Sequence, residues 1–509
     1  MEVTWLFQLL VTLITVLFFI NYLRKVRRSQ SPADKILPPS PPFSLPFLGH
    51  LHLLREPLLH RTFWSLSQRL GPVFSLQLGS RFVLVVSSPS AVEECFTTND
   101  VVLANRPQFI MGKDLAYDYS SVITAPYGDH WRNLRRICSI EIFSSTRLNA
   151  SSNTRNDETQ FLLRRLRRTS SGSGLFSRVE LRPMFTELTF NIVIRMLAGK
   201  RYYGENLSCV EEAKEFRELI GEIVEYGGAT NPADFLPVLR WVDYQGIAKR
   251  SERLGRKTDA FLQGLIDEHR RKKGSPEFEN TMISHLLSLQ ESSPDYYTDL
   301  IIKGLVLIML VAGTDTTGIT IEWAMSNLLN HPYVLQKAKT ELDTYVGADH
   351  LINESDLLNL TYLNAIISET LRLYPASPLL VPHESSDECK IGGYHIPRGT
   401  MVLVNAWGIH RDPKVWDDPA SFRPERFEDG QGDAHYKLLP FGAGRRACPG
   451  MALGIRTVGL VLGSLIQCFE WKRAGEEEID MGEGKGITMP KAHPLIAMCK
   501  ARDVLDKFF

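Results

Sequence analysis

Cys448 stands in the run Phe441-Gly442-Ala443-Gly444-Arg445-Arg446-Ala447-Cys448-Pro449-Gly450, just ahead of an apolar segment that reaches about Phe469. Gly442 and Gly444 permit tight turns, which bring backbone N–H groups close to a neighbouring sulfur. The apolar segment reads as a buried helix, and a helix N-terminus favours thiolate over thiol. Cys448 is therefore a candidate metal ligand. Arg446 can hold an anionic group by charge-assisted hydrogen bonds, and Phe441 can pack against the sulfur side of a flat cofactor. The competing reading is a buried free cysteine in a turn, which is the usual state of a lone cysteine.

A second constellation is Ala312-Gly313-Thr314-Asp315-Thr316-Thr317-Gly318. It interrupts a segment, about Asp299 to Asn330, whose stretch Leu305 to Val311 is apolar on every face and so predicts a core helix. Gly313 and Gly318 each cost about 1 kcal/mol against alanine there, and a buried carboxylate costs more unless paired. Such expense points to chemistry. Ala312 and Gly313 leave room beside a cofactor; Asp315 and Thr316 supply a carboxylate and a hydroxyl suited to moving protons. The plain alternative is a helix whose threonines bond back to the i−4 carbonyl.

Two weaker signals accompany these. Glu369 and Arg372 share a helix face and can form an ion pair, and Pro424-Glu425-Arg426-Phe427 follows about fifty residues later. Trp131 and Arg135, four apart, can turn an indole N–H and a guanidinium toward one carboxylate. Each is unremarkable alone.

Together, F-x-x-G-x-R-x-C-x-G, A/G-G-x-D/E-T-T/S, E-x-x-R with P-E-R-F, and W-x-x-x-R resemble the motif set of the cytochrome P-450 family, in the family's order. The resemblance covers about residues 35 to 500. It implies a mainly α fold with small β-sheets, one large haem-thiolate monooxygenase domain, and haem b with Cys448 as axial ligand. By the same resemblance Trp131, Arg135, His383, Phe441, Gly444, Arg446 and Gly450 surround the haem, while Asp315 and Thr316 guide protons to dioxygen. Glu369, Arg372 and Arg426 form a structural triad. Phe109, Leu115, Ala312, Gly313, Leu379, Leu380 and Ile487 line the substrate pocket. The segment from Ser377 to His383 is expected as strand.

The chain is most similar to plant microsomal members, and within them to isoflavone hydroxylases and to lignan- and xanthone-modifying oxidases, an impression carried largely by His383 to Pro413. That implies a small hydrophobic phenolic substrate hydroxylated with NADPH electrons from NADPH-cytochrome P-450 reductase, a cytochrome b-type donor being a further partner. Oxidative phenol coupling or bridge formation at the same haem is the alternative. Two readings of other classes are a reductase-independent isomerase or dehydratase and a non-catalytic haem-binding membrane protein; the Asp315-Thr316 pair speaks against both.

The elements that must position these residues follow from the rest of the chain. Val73 to Leu78 and Phe82 to Val86 read as a hairpin between Gly71-Pro72 and Pro89. Residues 106 to 125 look irregular yet apolar, as a loop lying over something. Segments Phe216 to Val224 and Phe235 to Trp241 resemble the family's distal lid.

Lys plus Arg and Asp plus Glu are both 58, which leaves no basic footprint for nucleic acid. Seven scattered cysteines, without a C-x-x-C pair, argue against a disulfide framework or a structural zinc. The chain contains no nucleotide-binding G-x-G-x-x-G, so NADPH must act through a partner.

Residues 3–23 carry no charge and are long enough to span a bilayer; Arg24, Lys25, Arg27 and Arg28 follow at once. The positive-inside bias predicts a single-pass anchor in the endoplasmic reticulum membrane, in contact with lipid, with the remainder facing the cytosol. Residues 24–50 read as a basic, proline-rich hinge, whose proline density favours stiff extended chain. The catalytic domain is expected over 51–509.

Overall fold

The computed structural model describes Thr12, Thr15 and residues 35–509 apart from 56–57, 171–174, 205–209, 229–230, 242, 244–245, 277 and 429–435. The expected span over 3–23 and the basic part of the hinge lie otherwise outside the described residues.

Helices dominate, and those that build the site are α1 (Leu59–Leu70), α2 (Asp129–Ile137), α3 (Arg182–Ala198), α4 (Val210–Gly228), α5 (Ile247–Arg271), α6 (Asp299–Asn330), α7 (Thr361–Leu373) and α8 (Met451–Cys468). Helix α6 is the axis of the molecule. Its N-terminal half, from Ile301 to Leu310, packs into one hydrophobic core group with α4 and α5. Its C-terminal half, from Ile319 to Leu329, packs into another with α7 and α8. The run Leu305 to Val311 is apolar on every face. In the C-terminal half the buried polar side chains find partners: Glu322 takes Arg182, while Ser326 and Asn327 donate to carbonyls four residues back, so both halves can be enclosed. Helices α6 and α8 are each long and apolar enough to cross a membrane by composition, yet both are largely buried core helices.

Thr298 caps α6, accepting the N–H of Ile301 through its side chain. His331 and Pro332 end it. Helix α3 lies so close that a Cβ on Gly313 would meet Val193 Cγ2 at 3.3 Å.

Strands β1 (Val73–Leu78) and β2 (Arg81–Val86) form the expected hairpin. Further strands are β3 (Ser177–Glu180), β4 (His383–Glu384), β5 (Cys389–Ile391), β6 (Tyr394–Ile396), β7 (Met401–Val404), β8 (Phe469–Arg473) and β9 (Ile496–Ala501). The larger sheet runs β1-β2-β7-β4, with β7 parallel to β2 and antiparallel to β4. A second sheet runs β3-β9-β8, and β5-β6 is a small hairpin.

Several local expectations change. Ser377 to Pro382 is turn rather than strand, and only His383 and Glu384 pair with β7; Leu380 adopts φ 54°, which no strand accommodates. Residues 106 to 125 contain a short helix, Ile110–Leu115. The proline-rich segment is extended as its composition requires, but it lies along β1: the Ser75 N–H donates to the Pro39 carbonyl at 2.8 Å and the Ser75 hydroxyl to that of Pro38 at 3.0 Å.

Candidate active site

The cysteine loop is held from below by charge. Glu369 and Arg372 on α7 are fully buried, with Arg372 Nε 2.6 Å from Glu369 Oε2 and Nη2 2.8 Å from Oε1. Arg426 Nε donates to the same Glu369 Oε1 at 3.1 Å, so the carboxylate joins both guanidiniums. Arg372 spends its remaining donors on the carbonyls of His410, Pro419 and Ser421. Such a group keeps its shape because every buried donor has an acceptor.

His410 extends this hold to the cysteine loop. The imidazole is fully buried; Nδ1 donates to the Arg372 carbonyl at 3.0 Å, and Nε2 accepts the Leu439 N–H at 2.7 Å. Burial, reinforced by the Arg372 charge, pushes its pKa down to about 3, which keeps the ring neutral and fixes one tautomer. From Leu439 the chain turns through the Gly442 N–H, bonded to the Leu439 carbonyl at 3.1 Å, and the Cys448 N–H donates to the Phe441 carbonyl at 2.8 Å. Gly442 and Gly444 sit at φ 69° and 66°. A side chain at 444 would in addition strike Asp100 Oδ1 at 2.5 Å. That aspartate receives the Arg445 backbone N–H at 3.1 Å and the Arg445 Nε at 2.9 Å, tying the loop to the body from its other side.

Above the loop is a cavity of about 290 Å³ between α6, α2, α8 and the turn at 376–383. Cys448 and Thr316 both face it. Burial pushes the Cys448 thiol up, while the backbone N–H groups of Gly450 and Met451 and the Arg135 charge pull it down, as expected at the start of α8. Thr316 donates its hydroxyl to the Ala312 carbonyl at 2.8 Å, as Thr314, Thr317 and Thr320 do to the carbonyls four residues back. Ala312 and Gly313 line the same wall.

One rim of the cavity is cationic. Arg106, Arg135 and Arg446 all line it, and none pairs with a carboxylate among the described residues. They lean instead on carbonyls: Arg135 Nη1 on Ala447 at 2.6 Å, Arg106 Nη1 on Val381 and Pro382 at 2.8 and 2.7 Å, and Arg446 Nε on Ala104 at 2.7 Å. The buried Nε of Arg106 has no partner. Burial and the charge of Arg446 push Arg106 down to about 9, and burial with the charge of Arg135 pushes Arg446 down to about 10.

Trp131 lines the same rim, donating its indole N–H to Val122 at 3.0 Å and stacking under Arg446 at 4.4 Å. His383 completes it as a buried residue, Nδ1 donating to the Leu103 carbonyl at 2.8 Å; burial, then Arg106 and Arg446, hold its pKa well below the ordinary value. Buried cations without counter-ions are costly, so this rim is built for an anionic ligand. A flat metallated macrocycle bearing carboxylates satisfies the sulfur, the guanidiniums and the apolar wall at once, and the residues present fit haem.

Of the residues expected at the site, Trp131, Arg135, Ala312, Gly313, Thr316, Leu380, His383, Phe441, Arg446, Cys448 and Gly450 line the cavity. Gly444 sits behind it against Asp100. The others expected at the pocket lie elsewhere. Phe109 faces the larger sheet, with the Arg81 guanidinium 5.1 Å from its ring centroid. Leu115 is buried in the α4–α5–α6 core group. Leu379 packs on the sheet because the left-handed turn at Leu380 sends the two leucines to opposite sides. Ile487 is 61% exposed, at the bend made by Gly486. Asp315 also turns away from the cavity, its Oδ2 accepting the Thr488 hydroxyl at 2.7 Å. Arg106 and His410 escaped the sequence reading. Arg106 sits in a stretch without periodicity, where only the following proline marks it.

The Cytochrome P450 family model matches residues 38–498. Among curated relatives, a Catharanthus roseus protein named Cytochrome P450 81Q32 is 57% identical over 92% of this chain and 93% of its own length. (+)-Piperitol/(+)-sesamin synthase CYP81Q2 of Sesamum radiatum is 55% identical over 97% of this chain and 96% of its own. Isoflavone 3'-hydroxylase of Medicago truncatula is 55% identical over 96% and 97%. A solved structure of a zebra fish cytochrome P450 with abiraterone superposes with a TM-score of 0.73 at 26% identity, covering 87% of this chain and 98% of that one. A cysteine loop braced by a buried charge triad, a cationic rim without counter-ions and full-length similarity agree: the chain belongs to the cytochrome P450 family.

Proposed function

We propose that this cytochrome P450 monooxygenase inserts one atom of dioxygen into a small hydrophobic phenolic plant metabolite of the flavonoid, isoflavone or lignan type. The observation that carries the reading is a single cavity onto which the Cys448 sulfur and the Thr316 hydroxyl both open, with a wall of Leu305, Ile308, Met309, Leu380 and Val381. Isoflavone hydroxylation and sesamin synthesis are the activities named for relatives at 55% identity. The second of these names supports a companion reading, oxidative bridge formation on a phenolic ring system at the same site.

Haem, when bound, supplies dioxygen activation, which a thiolate at Cys448 would favour by donating electron density. Cys448 would hold the iron, with Gly450 and Met451 N–H groups moderating the sulfur's charge. Arg106, Arg135, Arg446 and Trp131 would exchange their present carbonyl acceptors for the haem carboxylates. The apolar wall excludes water and orients the substrate ring; Thr316 holds a hydroxyl at the cavity surface for proton passage. Glu369, Arg372 and Arg426 act structurally, through the loop.

Electrons would come from NADPH through NADPH-cytochrome P450 reductase, with a cytochrome b-type donor as a second source. The protein would sit on the endoplasmic reticulum membrane by residues 3–23, catalytic body in the cytosol. An apolar surface supports that placement: Phe43 is 80% and Trp241 90% exposed, and their segments are joined through β1–β2 by the Gly79 N–H to the Leu48 carbonyl and the Ser80 N–H to that of Phe235.

The test is a titration of the haem-loaded chain with flavonoids, isoflavones, lignans, fatty acids and terpenes, followed at the haem absorption band, then turnover with reductase and NADPH. A saturable shift and NADPH-dependent product from one phenolic class is the expected result. Shifts from fatty acids or terpenes alone would overturn the substrate class.

A further inference from the structure

The chain from Gly482 to Ala492 folds back on itself, with the Gly484 N–H on the Pro490 carbonyl and the Ala492 N–H on that of Gly482, both at 2.7 Å. Three anchors fix this hairpin. The buried Glu483 carboxylate takes His60 Nε2 at 2.8 Å, Arg61 Nε at 2.7 Å and Trp407 Nε1 at 2.8 Å. The Trp323 indole on α6 donates to the Met489 carbonyl at 2.8 Å, and the Met489 N–H to Ala376 at 3.0 Å. Arg182 Nη2 donates to the Lys491 carbonyl at 2.8 Å. The bend of the loop meets α6 at a further position, where the Thr488 hydroxyl donates to Asp315 Oδ2.

That bond is the direct hydrogen bond the Asp315 carboxylate makes among the described residues. Burial pushes Asp315 up from its ordinary value, and Thr488 opposes this more than the Arg182 charge does. Arg182 is already committed to Glu322, with Nε 2.9 Å from Oε2. Lys491, the other cation of the hairpin, donates to the Asp480 carbonyl and lies over the Trp323 ring. A hydroxyl donor favours the ionised carboxyl, and it fixes that carboxyl on the outer side of the helix while Thr316, next in sequence, faces the cavity.

We propose that Thr488 is the positioning residue for Asp315: its hydroxyl holds the carboxyl group outside the cavity, so the C-terminal hairpin governs the proton exchange of the acidic member of the Asp315-Thr316 pair. No bond other than O–H changes in this exchange. Asp315 takes one proton from solvent at Oδ2, in competition with the Thr488 hydroxyl, and gives one up.

The test uses the full chain loaded with haem. Carboxyl protonation is followed by infrared difference spectroscopy across pH, with Asp315→Asn identifying the band. Thr488→Val removes the hydroxyl at nearly constant shape and is expected to raise the carboxyl pKa by about one unit, a tenfold change in its protonation equilibrium. Thr488→Ser is expected to restore the wild-type titration. If Val disturbs the hairpin, Thr488→Ala makes the same comparison. With reductase and a bound substrate, the acid-side midpoint of product formed per NADPH should move up in parallel while KM stays constant.

A Val or Ala variant that folds and titrates as the wild type overturns the proposal, as does a Ser variant that fails to restore it. Only the coupling measurement rests on the monooxygenase reading. The infrared titration needs neither substrate nor reductase, so failure of the two ideas is distinguishable.

Discussion

Replacing His410 by alanine separates the two halves of the support beneath Cys448. The imidazole joins the Arg372 carbonyl to the Leu439 N–H, and both lie in fully enclosed surroundings. Alanine strands that donor and that acceptor, each at about 1–3 kcal/mol, so the loss should be about 4 kcal/mol at neutral pH. The pH dependence gives an independent check. The folded ring has its pKa pushed from 6.5 to about 3, so the native state binds fewer protons than the unfolded chain. Its contribution is complete above pH 6.5 and is lost as pH falls from 6.5 toward 3, by about 1.4 kcal/mol per unit.

The alanine variant lacks this slope. The stability gap between wild type and His410→Ala should therefore narrow by about 1.4 kcal/mol for each unit below pH 6. Guanidinium unfolding followed by tryptophan fluorescence at several pH values measures both quantities. A gap under about 1 kcal/mol at pH 7, or one constant down to pH 5, would refute the view that His410 is a neutral strut between the charge triad and the cysteine loop.

Cys448→Ser should leave the fold intact yet abolish the thiolate-type absorption of the bound haem, measured on protein that still binds the cofactor. Arg106→Met should weaken haem retention about tenfold or more, since a charge-assisted bond to a carboxylate is lost; transfer of haem to an acceptor protein measures this. Glu369→Gln leaves Arg372 and Arg426 facing each other without their common carboxylate and should cost about 3–5 kcal/mol in the same unfolding assay. Thr316→Ala should change stability by less than about 1 kcal/mol, because its hydroxyl only doubles a helical carbonyl's bond, while lowering product formed per NADPH consumed several-fold.

Features written in short-range spacing were legible in the sequence. The glycines around Cys448, the i,i+3 pair Glu369–Arg372 and the apolar run Leu305 to Val311 of α6 each follow from local geometry, and a resemblance built on the motifs gave the family and the fold class. The pocket wall was legible only in part. Ala312 and Gly313 lie at the cavity because helix periodicity fixes their face. Leu379 and Leu380 could not be sorted by pattern, since one left-handed φ reverses the alternation a strand would impose.

Contacts between distant segments were decided by the tertiary structure alone. Asp315 and Thr488 are 173 positions apart, and Arg372 and His410 are 38 apart. Whether a carboxylate on α6 faces the cavity or a hydroxyl behind it depends on where the C-terminal hairpin packs, and that packing is anchored by Glu483 on side chains from α1 and the segment after β7. Arg106 likewise acquires its meaning only when folding carries it beside Arg446 and leaves both without an acid. Sequence periodicity specifies what each element buries. The partners it meets there are set by how all the elements pack together, which no local pattern encodes.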